Sequence, residues 1–165
     1  MFTLLISRCK NEINVKEWIK YHLSLGIKYI IIYDDHSDIP LNTYINIPNV
    51  FICTNNIRVN PNFVFSHNKK NNSYTIIFNK IKTLNINIDY IIDLDIDEYL
   101  YLSNFNNIID FINFYIPFNQ LSLNFLFMGN ENKLTITNNS CILNFKRSAK
   151  KFTPWGKSIA KYNNI

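Results

Sequence analysis

Tyr90-Ile91-Ile92-Asp93-Leu94-Asp95-Ile96-Asp97-Glu98 is the stretch from which the fold class is read. A short unbroken apolar run bounded by polar residues reads as a buried strand. Here the run ends in four carboxylates, Asp93, Asp95, Asp97 and Glu98, within six residues. The same arrangement occurs twice upstream. Phe2-Thr3-Leu4-Leu5-Ile6 leads into a polar turn, Ser7-Arg8-Cys9-Lys10-Asn11-Glu12, and Tyr29-Ile30-Ile31-Ile32-Tyr33 leads into Asp34-Asp35-His36-Ser37-Asp38. Residues 50–53 form a further short apolar run.

Between these strands the period changes. Val15, Trp18, Ile19 and His22 fall at i, i+3, i+4 and i+7, one face of a helix. Asn14 stands at its N-cap position with Glu17 three residues on, and Gly26 closes its far end. Tyr74, Ile77, Phe78 and Ile81 repeat the spacing, with Ser73 as a possible cap. Phe105, Ile108, Ile109 and Ile112 mark a third helix that stops before Pro117. Leu121, Leu123, Phe125 and Phe127 alternate as a half-buried strand does. Residues 134–137 and 141–145 read as two more short strands. Apolar strands alternating with helices predict an α/β domain over residues 1–165, a mostly parallel sheet with helices on both faces. Ligands of such sheets bind outside the carboxyl ends of the strands, near a switch in strand order. The three polar clusters stand at those ends.

Composition narrows the class. With 47% hydrophobic residues and 3 glycines, the chain is neither a disordered polymer nor a collagen-like one. Asparagine and isoleucine occur 28 times each, and both have AT-rich codons, so Asn-rich stretches read as genomic bias rather than functional tracts. The net charge of +5 comes from the C-terminal part, where Lys146, Arg147, Lys150 and Lys151 precede Phe152 and Trp155. That basic and aromatic run has the look of a nucleic-acid surface, or of a solvated tail. Cys9, Cys53 and Cys141 lack CxxC spacing, which predicts reduced thiols in a cytoplasmic protein rather than a disulfide or zinc framework. No signal or transmembrane segment is read.

The acidic cluster suits hard cations. Alternate strand residues share a side, so Asp93, Asp95 and Asp97 can converge, and their repulsion is relieved by a divalent ion. Magnesium or manganese takes such oxygen ligands, usually one or two carboxylates plus substrate phosphates. An exposed acidic turn is the plainer alternative. Asp34 and Asp35 suit ribose hydroxyls, or an Asx turn. Arg8 suits a phosphate, or an ion pair with Glu12. Trp18, Tyr21 and His22 read as helix packing.

Taken together, the motifs resemble the family 92-type glycosyltransferases and the related family 2-like sugar transferases. The resemblance rests on Asn11-Glu12, Glu17-Trp18, Tyr21-His22, Leu25-Gly26, Tyr33-Asp34 with Ser37, and Asp95-Ile96-Asp97-Glu98-Tyr99-Leu100. Phe127-Met128-Gly129 and Lys157-Ser158-Ile159 follow in order. It implies a GT-A (Rossmann-like) fold, a nucleotide-sugar donor and a divalent metal, manganese or magnesium. Asp95 and Asp97 would hold the metal, Asp95 also meeting the donor. Arg8, Asn11, Glu12 and Asp34 would line the nucleotide pocket, with Lys157 near the diphosphate. The implied reaction moves a sugar, from a UDP-sugar by preference, to a hydroxyl of a glycan, glycoprotein or glycolipid. Glu131 is a weak candidate for the base. Where the family has a Gln ahead of its third helical segment, this chain has Asn72-Ser73, and a Glu-Arg-Phe segment reads Leu143-Asn144-Phe145. The family continues to a late His of the metal site, so the domain is expected to lack the family's C-terminal end. The alternatives are an Asp-x-Asp phosphatase, matched by Ile91-Ile92-Asp93-Leu94-Asp95, and a non-catalytic nucleic-acid binder.

Overall fold

The computed structural model describes residues 1–55, 66–129, 140–144, 147–153 and 156–162, with residues 66–71 as backbone only. Its central sheet has six strands in the order β3-β2-β1-β4-β8-β5. They are β1 (Thr3–Cys9), β2 (Tyr29–Asp34), β3 (Val50–Thr54), β4 (Tyr90–Asp93), β5 (Gln120–Asn124) and β8 (Gly156–Lys161). The first four run parallel, and β8 lies antiparallel between β4 and β5. A second, two-stranded sheet pairs β6 (Met128–Gly129) with β7 (Arg147–Ser148). The α/β, mostly parallel architecture follows the strand pattern of the sequence.

Alternation along β1 splits the core. Leu5 and Cys9 join Ile30, Ile32 and Ile92 on one face, under α1 (Val15–Ser24) and α3 (Ile108–Tyr115). Leu4 and Ile6 join Ile31 and Tyr33 on the other, under Ile77 and Ile81 of α2 (Ser66–Leu84). Burying such aliphatic side chains stabilises by about 1.5–3 kcal/mol each. Helix α1 ends as its sequence predicts: Gly26 has φ +86°, its N–H bonds Leu23 O at 3.0 Å, and Ile27 N–H bonds His22 O at 3.4 Å. That is a Schellman closure, and the positive φ favours glycine. Gly156 meets a different demand, because a Cβ there would lie 2.4 Å from Leu123 O on the paired strand.

The structure departs from the expectations at several places. β1 does not stop at residue 6; Ser7, Arg8 and Cys9 stay in register with Ile32, Tyr33 and Asp34. Sheet pairing overrides their polarity, and Ser7 and Cys9 are buried while Arg8 points outward. Residues 141–144 form a helical turn, α4 (Cys141–Asn144), rather than a strand. Ser140 caps it by accepting Leu143 N–H at 3.2 Å. Glu17 accepts Cys141 N–H at 2.8 Å and also the Ser140 hydroxyl. Asn14 makes no side-chain cap on α1; its amide donates to Cys141 Sγ at 2.8 Å. Ser73 lies inside α2, not at its start, and Phe78 is exposed, so the buried stripe is Ser73, Ile77 and Ile81. β5 ends at Asn124, short of Phe125 and Phe127. The strand expected at 134–137 lies outside the described residues. Among those described, the three cysteines are free thiols, and no helix is long and apolar enough to cross a membrane.

Candidate functional site

The connection from β1 passes to β2 on one side, while β4 pairs on the other, so strand order switches between β1 and β4. A crevice outside the carboxyl ends is expected there. A cleft of about 370 Å³ occupies that place, with Arg8, Lys10 and Glu12 on its β1 side and Asp93, Asp95 and Asp97 on its β4 side. Ser73, Tyr74 and Ile77 of α2 form its wall.

The strand ends at Asp93, and the chain beyond it turns along the cleft. Ile92, Leu94 and Ile96 are buried, while Asp93, Asp95 and Asp97 line the cleft, together with Ile96. Leu94 N–H still bonds Ile6 O at 3.2 Å, carrying the pairing past the end of β4. Asp95 N–H then donates to Glu98 Oε2 at 2.7 Å and Glu98 N–H to Asp95 O at 3.0 Å, closing a tight turn. Helix α1 fixes the next residues. Trp18 Nε1 donates to Glu98 O at 2.7 Å and the Tyr21 hydroxyl donates to Leu100 O. His22 Nδ1 stands 2.8 Å from Trp18 O, while Nε2 faces Leu100 N–H at 3.3 Å. A neutral, Nδ1-protonated imidazole satisfies both contacts. Burial lowers the His22 pKa to about 4. The aromatic face read as packing is therefore also a backbone clamp on the acidic loop.

The carboxylates differ in what they meet. The Tyr74 hydroxyl donates to Asp93 Oδ2 at 2.6 Å; burial and then this bond raise the Tyr74 pKa. Lys157 Nζ lies 2.8 Å from Asp95 Oδ2 and 3.4 Å from Glu98 Oε2. Burial pulls the lysine pKa down, but the Asp95 bond and the Glu98, Asp95 and Asp93 charges outweigh it, leaving it raised. Burial, and then repulsion from Asp97, raises Glu12. Asp97 is exposed.

Of the residues singled out in the sequence, the structure brings Arg8, Glu12, Asp95 and Asp97 together in the cleft, with Lys157 against Asp95. Asp34 and Asn11 are not among the cleft-lining residues. Asp34 is 4% exposed, and its two oxygens accept Ser37 N–H at 2.9 Å and Leu41 N–H at 2.8 Å. Its Asx-turn reading is the one the geometry shows. Asn11, at φ +56°, ties its loop to the β2 loop through Asp38 N–H at 2.8 Å and through its own N–H to Ser37 Oγ at 3.0 Å. Glu131, Lys146 and Trp155 lie outside the described residues. Glu98 belongs to the acidic cluster read from the sequence, whereas Tyr74 and Lys10 are lining residues that the sequence does not single out. Tyr74 was hidden in a helical repeat whose neighbours are core, and nothing local distinguishes it.

A fit to a divalent ion rests on the donor set. The lining residues offer carboxylate oxygens and neither thiol nor imidazole, which is the hard-oxygen chemistry of magnesium or manganese. Among the described residues no group of three or more His, Cys, Asp or Glu is arranged to hold a metal ion. A divalent ion bound here would have the Asp95 and Asp97 carboxylates as donors and would need a ligand's phosphates to complete its shell. Compared with protein-family models and with curated proteins, the chain matches none.

Proposed function

We propose that this chain is a metal-dependent glycosyltransferase of the GT-A type. Its donor is a nucleoside diphosphate sugar, a UDP-sugar by preference, and its acceptor is the hydroxyl of a glycan, glycoprotein or glycolipid. One observation carries the reading: the Asp-x-Asp loop and the cationic end of β1 face one cleft at the switch in strand order. Arg8 and Lys10 are placed to meet the diphosphate, with Asp95 and Asp97 opposite. A divalent ion, when bound, supplies charge neutralisation for the leaving diphosphate. Lys157, already paired with Asp95, adds a fixed positive charge at the same rim. Glu12 lines the nucleotide side, where its carboxylate can accept a hydrogen bond from a ribose hydroxyl. Asn11 and Asp34 enter as supports of the loops rather than contacts. The acceptor proton passes to a carboxylate.

The test is a thermal-shift panel of uridine, adenosine and guanosine diphosphates, each with and without manganese. A ligand that binds only the native state stabilises it by mass action, about 2.7 kcal/mol at a hundred times Kd. Uridine diphosphate with manganese should give the largest shift. Equal shifts for all three would remove the uridine preference, and no shift with any of them would count against a nucleotide donor.

A further inference from the structure

The β5–β8 pair does not end where the sheet does. Its last register pair is Asn124 with Gly156, and β8 at this end runs past Asp93, the carboxyl end of β4. The two chains then continue side by side. Thr153 N–H bonds Phe125 O at 3.1 Å, Ala149 N–H bonds Phe127 O at 2.7 Å, and Met128 pairs with Ser148. A two-stranded ribbon thus leaves the sheet at the end where the cleft lies. Between the Phe127 and Phe125 contacts there is one residue, Leu126, on one segment and three, Lys150, Lys151 and Phe152, on the other, so the longer segment bends outward there.

The ribbon's surface is unusual for an exposed arm. Phe127 and Phe152 are each 64% exposed, and Met128 and Leu126 are 48% and 39% exposed. Lys150 and Lys151 are exposed beside them, and residues 125–129 and 147–153 include no acidic side chain. Large apolar side chains on the outside mark interaction sites. The charge says with what: cations among aromatic and aliphatic side chains match the interface of a bilayer rich in anionic lipid. A single-stranded nucleic acid fits less well, because Leu126 and Met128 offer no ring on which a base can stack.

We propose that the β6–β7 ribbon docks this protein on an anionic membrane surface, with Phe127, Phe152, Leu126 and Met128 entering the interface and Lys150 and Lys151 meeting lipid phosphates. Docked this way, the end of the sheet that carries the cleft lies toward the bilayer. On the sugar-transfer reading, the acceptor hydroxyl is then membrane-borne, but the docking itself needs neither nucleotide nor metal.

The experiment is co-sedimentation of the full chain with vesicles of equal parts phosphatidylglycerol and phosphatidylcholine, against vesicles of phosphatidylcholine alone. The protein should partition to the anionic vesicles at least tenfold more strongly, and less so as salt rises. The pairs Phe127→Ser with Phe152→Ser, and Lys150→Glu with Lys151→Glu, should each weaken partitioning about tenfold or more, with unchanged melting temperatures because these side chains are exposed. Equal binding to both vesicle types, or unaltered binding of either variant pair, overturns the proposal. So does tighter binding to a single-stranded oligonucleotide than to the anionic vesicles at the same salt. A nucleotide shift without vesicle binding would remove the docking surface and leave sugar transfer standing.

Discussion

The loops after β2 and β4 look alike in sequence, each an apolar strand emptying into aspartates, yet the structure uses them in opposite ways. Asp34 is buried, and both of its oxygens hold the backbone of its own loop through Ser37 and Leu41. Asp95 and Asp97 do little of that work. Glu98 closes their turn, and Trp18, Tyr21 and His22 hold the backbone beyond it from α1. A carboxylate becomes available to a ligand when other residues have taken over the structural duty. A supporting carboxylate should therefore be costly to alter, a ligand-facing one cheap, and the external clamp the costliest.

Trp18→Ala tests the clamp. It should destabilise by about 3–5 kcal/mol, through a cavity and an orphaned Glu98 carbonyl, read from denaturant midpoints. A stable mutant that had lost nucleotide binding would show that the indole serves the cleft rather than the core. His22 tests the same clamp by pH. Its folded pKa, about 4, lies below its ordinary 6.5, so the unfolded chain takes up the proton first. The stability it contributes is fully present above pH 6.5 and falls as pH drops toward 4, by about 3 kcal/mol at most. Urea melts at pH 7 and 5 should show the loss, and His22→Gln should flatten it. An equally steep slope in the variant would assign the acid sensitivity elsewhere.

A matched pair of isosteric changes sharpens the contrast between the loops. Asp34→Asn puts an N–H where one of two backbone amides needs an acceptor, and should cost about 1–3 kcal/mol. Asp97→Asn removes one charge from a repelling set, and should leave the protein as stable as before or slightly more so. If both lose the same stability, the division of labour between the loops is wrong.

The four parallel strands were legible because unbroken apolar runs such as 29–33 have few other uses, whereas β8 (Gly156–Lys161), with lysines near both ends and a single fully buried side chain, was not legible as a strand. The last third of β1 was not, since Ser7, Arg8 and Cys9 are held by register with β2 rather than by their own preference. The α4 turn was invisible because the carboxylate that supports it, Glu17, stands 124 residues from Cys141 in the chain. Three asparagines have a local use that composition does not reveal: Asn11, Asn49 and Asn85 all adopt positive φ, a conformation asparagine tolerates, in a chain with 3 glycines. In the site, the spacing pointed to Asp93, Asp95 and Asp97 on one side, and all three line the cleft although the strand ends at Asp93 and a turn carries Asp97. The separation of Asp34 from Asp95 was not readable, because it depends on which amides each carboxylate finds. Nor was Lys157 against Asp95, a contact across 62 residues that only the β4–β8 pairing creates.

The most direct measurement is calorimetric titration of uridine diphosphate, with and without manganese, into the unaltered protein and Asp97→Asn. If Asp97 helps to hold the ion, manganese strengthens binding to the unaltered protein, and that metal-dependent part is lost in a variant whose unliganded stability is undiminished. The same manganese-dependent affinity in both proteins would contradict it.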